Sequence, residues 1–188
     1  MLAASAGVID ATGGINGDSP TEFARSDIDE VVRALKGANA YTIMDNIEAE
    51  NKFGTGPVRA SYWAMGHTDL IGDLDAVQGF LHQSQYPSPM NILSAEWGAI
   101  GNIRYLLSSV GSTTAAASVL GATVYNTFVT GLEAYACVEQ DGYSAQFIYL
   151  PPQFSGALAM NISIGYKFGE VPQILNDHWI VNHRSTLS

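Results

Sequence analysis

The chain has 188 residues, a length that fits one large domain or two small ones and that can bury a substantial hydrophobic core. Eight Lys and Arg against 18 Asp and Glu give a formal net charge of −10, so few cations are available to neutralise nucleic-acid phosphates. The single cysteine, Cys137, excludes an internal disulfide and a cysteine-based zinc site, and we expect it to be buried, as most cysteines are.

Charged residues make up only 14% of the chain, against roughly 25% in an ordinary soluble domain, while 47% are apolar. Either neighbouring subunits cover part of the surface, or the chain is a piece of something larger, and both interpretations favour an assembly. No run approaches the roughly 18 apolar residues of a membrane span, and the N-terminus lacks the features of a signal peptide. We therefore expect a soluble, unprocessed protein.

The first predicted elements are a glycine-rich loop and a helix. Residues 7–19 show no hydrophobic period. The spacing from Ser19 to Glu22, with Pro20 between them, is typical of a capping box and predicts a first helix start. A second start at Ser26 precedes a helix over residues 26–35, in which apolar residues recur at i, i+3, i+4 and i+7 (Ile28, Val31, Val32, Leu35).

Further along, alternating or β-branched runs predict strands, and a short helix follows the first of them. That helix runs through Leu70, Ile71, Leu74 and Val77, with Thr68 or Asp69 as its cap. Turns or loops are predicted at residues 86–89, 98–102, 108–118, 141–142 and 151–152. The predicted strands are Val58–Met65, Ile103–Leu107, Val124–Val129, Ala134–Val138, Leu158–Phe168 and one long final strand, Ile174–Arg184.

The densest group of titratable residues is His67 with Asp69, Asp73 and Asp75, at a strand-to-helix junction where functional sites are common. Carboxylates at a helix start are also favoured by capping and by the helix dipole, and we prefer this structural interpretation. The sequence contains no Gly-x-Ser-x-Gly elbow and no His-Glu-x-x-His pair to accompany them.

Asp177, His178 and His183 are a second group of potential ligands. On one strand, positions 178 and 183 would face opposite sides of the sheet, so we expect no shared metal. The three tryptophans are expected to be core or contact anchors rather than a ligand cage (Trp63, Trp97, Trp179).

Five short runs follow one another in a characteristic order. They are VRASYWAMGHTDLIGDL (58–74), EWGAIGNIRY (96–105), GLEAY (131–135), IGYK (164–167) and ILNDHW (174–179). In this order and at these intervals the sequence resembles the major capsid proteins of tailed bacteriophages, specifically the podophage branch founded by coliphage N-four. The resemblance covers nearly the whole chain and depends on the order of the runs.

The resemblance implies an α+β protein with a Hong Kong 97-type capsid fold, built from mixed sheets and a few helices. By this analogy residues 1–19 form a flexible N-terminal segment, 20–55 part of the peripheral domain, 56–165 the axial domain and 166–188 a peripheral-domain return strand. The family's N-terminal arm, extended hairpin and most of its spine helix are not recognised in the sequence. We therefore expect the chain to be the C-terminal half of a capsid protein or an unusually short relative.

The implied function is structural and not enzymatic: a subunit of an icosahedral phage capsid, made in the host cytoplasm, that self-assembles into hexamers and pentamers enclosing double-stranded DNA. The expected partners are other copies of the chain and packaged DNA without sequence-specific binding, with portal, scaffold or decoration proteins as further candidates. No cofactor, metal or membrane is expected. The acidic balance suits an inner wall that repels DNA and lets it slide during packaging.

Four residues are expected to make core or subunit contacts in this shell. Trp97 and Tyr105 would anchor the axial core, while Trp179 and Arg184, with the last strand, would hold the peripheral sheet together. Two alternatives remain open. One is an encapsulin-like nanocompartment shell, and the other is a small hydrolase or metal enzyme, which requires a pocket joining the side chains of His67 and Asp69.

Overall fold

A computed structural model describes residues 7–13, 19–43, 60–86, 93, 95–139, 146–153 and 161–188. The chain divides into two compact units. The larger unit, here called the sheet unit, comprises the described residues before Tyr135 together with Asn176–Ser188. The smaller unit, Tyr135–Leu175, is here called the ribbon unit because it consists of two-stranded antiparallel pairs.

Helix α1 spans Arg25–Gly37 and buries Ile28, Val31 and Leu35, which confirms the helix predicted over residues 26–35. Its first turn is held by Asp27, whose carboxylate accepts hydrogen bonds from the Ala24 N–H and from the backbone N–H and hydroxyl of Thr12. The helix start is therefore stabilised by a residue from the loop that precedes it, in addition to its own local cap.

The first predicted helix start, at residues 19–22, is wrong. The Thr21 N–H donates to the Ala11 carbonyl, and the Thr21 carbonyl accepts from the Thr186 N–H. Because both backbone groups of Thr21 bond to distant segments, no helix begins here, and α1 starts only at Arg25.

The sheet unit contains an eight-stranded mixed sheet with the order β1-β12-β7-β2-β5-β4-β3, and β6 also pairs with β7. Two pairs, β1 with β12 and β2 with β5, are parallel, and the other pairs are antiparallel. The strands are β1 (Gly7–Asp10), β2 (Tyr62–His67), β3 (Phe80–His82), β4 (Glu96–Ile100), β5 (Ile103–Ser108), β6 (Thr113–Thr114), β7 (Val124–Thr130) and β12 (Ile180–Ser185).

One face of this sheet carries the hydrophobic core, onto which the apolar side of α1 packs. Tyr62, Ala64 and Tyr105 contribute from adjacent strands, and Leu70 and Leu74 contribute from the segment after β2. The strands predicted at 103–107 and 124–129 are confirmed as β5 and β7. Their β-branched and aromatic residues fit a sheet that is buried on much of its surface.

The glycine-rich loop predicted over residues 7–19 is wrong at its start, because Gly7–Asp10 form β1. Three further local predictions in this unit are corrected. The strand predicted from residue 58 begins at Tyr62 and continues to His67, with residues 58–59 outside the described part. Helix α2, Ile71–Ala76, follows a 3-10 turn at Thr68–Leu70 whose cap is His67, not Thr68 or Asp69. The turn predicted over residues 98–102 is confined to Gly101 and Asn102, because residues 96–100 form β4.

The single long strand predicted over residues 174–184 is also wrong. Its residues are divided among the end of β11 (Glu170–Ile174), a 3-10 turn at Asp177–Trp179 and β12. The Asn176 side chain accepts a hydrogen bond from the His178 N–H, an arrangement that turns the backbone out of the extended conformation.

The ribbon unit contains two antiparallel pairs, β8 (Tyr135–Glu139) with β11, and β9 (Gln146–Gln153) with β10 (Asn161–Lys167). β9 continues through Pro151 and Pro152, where the sequence predicts a break. Both prolines lie at a register irregularity, and within the described part of the chain β9 pairs on one side only, so their missing N–H groups cost the ladder little. Cys137, on β8, is exposed rather than buried.

The α+β fold class with mixed sheet pairing and few helices is confirmed. The assignment to peripheral and axial domains stays a prediction, and its boundary at residues 165–166 falls inside β10. The turns predicted at residues 87–89 and 141–142 lie outside the described residues. Within the described part of the chain, no helix has the length and apolarity that a membrane span requires.

Candidate assembly site

His67 and Asp69 lie side by side at the start of the 3-10 turn that leads into α2. The Asp69 N–H donates to His67 Nδ1 at 3.1 Å, and the Asp69 carboxylate lies 3.3 Å from the same nitrogen. The carboxylate oxygen in that contact, Asp69 Oδ2, also accepts a hydrogen bond from the Tyr125 hydroxyl at 3.1 Å. Burial and the Asp69 carboxylate both raise the pKa of Tyr125, so its phenol remains protonated.

This arrangement serves as a helix cap. The His67 side chain accepts the Asp69 N–H at the N-cap position of the 3-10 turn, so its contact with Asp69 is accounted for by local capping. Asp73 and Asp75 lie in separate interactions, with Ser188 and with the Trp97 indole respectively. Among the described residues, no group of three or more His, Cys, Asp or Glu could hold a metal ion.

His178 and His183, the second pair of potential ligands, have unlike surroundings. His178 is exposed in the 3-10 turn, whereas His183 is buried on β12 against the ring of Phe23, 4.7 Å between centroids. Burial lowers the pKa of His183 to about 4, although the Asp27 and Asp10 carboxylates act in the opposite direction. His183 is therefore a neutral core residue at physiological pH.

Trp97 and Tyr105, expected as contact residues, belong to the sheet unit. Tyr105 on β5 is buried in the core. Trp97 on β4 is partly buried against this core, donates from Nε1 to Asp75 at 2.8 Å and meets the His82 ring edge-on. Their expected role as anchors of an axial core stays a prediction.

Trp179 and Arg184 hold the end of the chain to earlier segments of the sheet unit. Trp179 donates from Nε1 to the Ala38 carbonyl, just after α1, and packs edge-on against Tyr41. Arg184 on β12 forms two hydrogen bonds with Asp10 on β1, and these raise the pKa of its guanidinium further. Both residues act within the chain, and any contact with a second subunit stays a prediction.

A group of exposed apolar side chains lies on the ribbon unit, where sequence reasoning did not place a site. Residues opposite one another in β9 and β10 share a face, so Phe147 lies with Tyr166 and Tyr149 with Ile164. Ile162 belongs to the same side of β10 by strand alternation. These five side chains, here called the apolar ribbon face, are 53–69% exposed.

The sequence held a partial signal for this face. Residues 162, 164 and 166 alternate with Ser163, Gly165 and Lys167, which predicts a strand with one apolar side. Residues 147–150 are an unbroken apolar run, FIYL, whose two faces cannot be distinguished by periodicity. Only the pairing of the two strands shows which of these residues share a face with the apolar side of β10.

Neither a protein-family model nor a curated protein sequence matches this chain. Among solved structures, it is similar to a chain in the head structure of Helicobacter pylori bacteriophage KHP40, with a TM-score of 0.58 and 10% sequence identity. The match covers 88% of this chain and 58% of that chain, so this chain spans less than two thirds of the length of its structural neighbour. The shared fold is therefore that of a phage head chain.

Proposed function

We propose that this protein is a structural subunit of a bacteriophage capsid that acts by self-association. The observation that carries the proposal is the fold, which is similar to a phage head chain over 88% of the residues. Fold alone does not determine function, so the proposal also depends on the surface and on the candidate chemical sites.

Two properties of the chain support this role. Only 14% of the residues are charged, and the ribbon unit exposes a group of large apolar side chains. Soluble monomers rarely expose contiguous apolar patches of more than a few hundred Å², because such patches favour association. A shell subunit needs such apolar contact surfaces, since most of its flanks face other subunits.

The finer features of the proposal follow the sequence resemblance. The shell would be icosahedral, of the Hong Kong 97 type and the podophage N-four-like branch, with this chain supplying the C-terminal half of a capsid protein or an unusually short one. Hexamers and pentamers would enclose double-stranded DNA in the virion after synthesis in the host cytoplasm. The enzyme alternative has little support, because His67 and Asp69 form a helix cap.

Electron microscopy and sedimentation velocity of the purified protein test the proposal. We expect closed shells, or rings with fivefold and sixfold symmetry. A protein that remains monomeric at its highest soluble concentration would contradict it. Nuclease-protected duplex DNA in particles captured from their natural source with an antibody to the chain would support a phage capsid. Protein cargo in those particles would instead support the encapsulin-like alternative.

A further inference from the structure

We propose that the apolar ribbon face is a subunit interface and that its occupant is a second copy of this chain. The inference rests on the proposed shell function and adds the surface through which copies meet. The face consists of Phe147, Tyr149, Ile162, Ile164 and Tyr166.

The first argument is the stability of the ribbon itself. Among the residues that the structure describes, the β9–β10 pair forms a two-stranded sheet in which neither strand has a further partner. Two-stranded hairpins in water are marginally stable at best, and they require a third strand or a packed face for independent stability. Side chains on the opposite face, Ile148 and Leu150, are also more than two-fifths exposed. Burial of one face against another surface would supply the missing stabilisation.

The second argument is area. Five large side chains, three of them aromatic and all more than half exposed, offer on the order of 600 Å² of surface. Phe168, whose ring lies 5.5 Å from that of Tyr166, extends this surface. A stable protein interface buries about 800 Å² on each partner, so the face supplies most of one side of an interface. Aromatic residues are also the type enriched at the centres of interfaces.

The third argument is charge, and it identifies the occupant. Each copy carries a formal charge of −10, so two copies repel one another unless they meet at surfaces that are far from their carboxylates. The apolar ribbon face contains no Asp, Glu, Lys or Arg, and Lys167 of β10 lies on the opposite face. A nucleic acid or another strongly charged partner would find no complementary group here. A second copy of a chain with few charged residues is the partner that this neutral surface suits.

The contact is expected to be heterologous, with the ribbon of one copy on a different surface of the next. Contacts of this type close into rings when the rotation between copies permits, as capsid hexamers and pentamers require. The proposal therefore predicts that the ribbon of one copy binds the sheet unit of the neighbouring copy and not the neighbour's ribbon.

Site-specific photocrosslinking identifies the occupant. The photoreactive analogue p-benzoylphenylalanine replaces Phe147 in the full chain, and the product is analysed by denaturing electrophoresis and mass spectrometry. We expect a covalent dimer that joins residue 147 to a peptide of another copy that lies outside residues 135–175. A crosslink confined to one chain, shown by mixing isotopically light and heavy protein, would overturn the proposal.

A matched pair of variants tests the energetics. Ile164→Glu places a carboxylate in the apolar ribbon face, while Ile148→Glu places one on the opposite face, one rung away along the same ribbon. We expect I164E to weaken self-association, measured by sedimentation equilibrium, by roughly tenfold or more, and I148E by less than about threefold. Circular dichroism and thermal melts of both variants show whether either change disturbs folding.

The outcomes separate this inference from the proposed function. If the wild-type chain forms shells and I164E forms them equally well, the apolar ribbon face is not the interface, and the capsid proposal stands. If the wild-type chain forms no assembly and crosslinks only within itself, both fail. Equal weakening by I164E and I148E would indicate a general effect of charge on the ribbon and would also overturn the inference.

Discussion

The guanidinium of Arg184 donates two hydrogen bonds to the carboxylate of Asp10, at 2.6 and 2.8 Å, and so joins residues 174 positions apart in the chain. The pair connects β12 to β1, the strand at one edge of the mixed sheet. Among the described residues, β1 has four residues and pairs with β12, so this ion pair adds a side-chain link to the backbone pairing of the strand. Two-pronged geometry of this kind requires arginine.

Arg184→Lys is expected to loosen β1 while leaving the rest of the sheet intact. Lysine keeps the charge but cannot form both hydrogen bonds, and the pair is partly solvated, so we expect a loss of about 1 kcal/mol or less in the free energy of unfolding. Hydrogen exchange should show faster exchange at residues 8–10. Arg33→Lys, on the exposed side of α1, is the matched control. Unchanged exchange in β1 would show that backbone pairing alone holds the strand.

The buried His183 predicts a pH dependence of stability. Its pKa is lowered by burial from 6.5 to about 4, so between these values the unfolded chain binds a proton that the folded chain does not. Stability is therefore full above pH 6.5 and falls as the pH is lowered towards 4, by roughly 3 kcal/mol from this group. Urea unfolding across this range measures the slope.

Two substitutions isolate that contribution. His183→Gln removes the titrating group, and we expect a flatter dependence of stability on pH between 6.5 and 4. His178→Gln removes a histidine that is exposed and should leave the slope of the wild type unchanged. Parallel curves for wild type and H183Q would mean that other groups, such as carboxylates, cause the acid sensitivity.

Glu96 is the centre of a buried polar network on β4. Its side chain is fully buried, accepts from the Tyr86 hydroxyl at 2.7 Å and from the Leu93 N–H at 2.8 Å, and lies 3.5 Å from the Arg104 guanidinium. Glu96→Ala removes the carboxylate that balances the buried Arg104, so we expect destabilisation of about 3–5 kcal/mol. The measurement is equilibrium denaturation.

Glu30→Ala is the control for that experiment, because Glu30 is exposed on α1. Its effect should be within about 0.5 kcal/mol. A loss of comparable size in both variants would show that the buried network contributes no more than an ordinary surface carboxylate.

The excess of acidic over basic residues predicts that the protein does not bind duplex DNA tightly at physiological salt. Eight basic against 18 acidic residues leave too few cations for several phosphate contacts. Fluorescence anisotropy with a labelled duplex should show no saturable binding as salt is raised to the physiological range. Tight, salt-sensitive binding would contradict the hypothesis of an inner wall that repels DNA.

Periodic segments were predictable from the sequence because their burial pattern is local. The apolar spacing in α1 and the β-branched runs in β5 and β7 identify a helix and two strands without reference to any other part of the chain. The low fraction of charged residues likewise predicts, without knowledge of the fold, that part of the protein surface is covered. The α+β class and the expectation of a capsid-type fold followed from such features together with the order of five short runs.

The features that the sequence did not predict depend on contacts between residues that are distant in the chain. Thr21 lies outside any helix because its backbone bonds to residues 11 and 186. His67 occupies the cap position that the sequence predicted for Thr68 or Asp69. The apolar face of the ribbon depends on which residues of β9 lie opposite those of β10. Hydrophobic spacing specifies an element's own periodicity, but hydrogen-bond partners and cross-strand register depend on segments brought together only by folding.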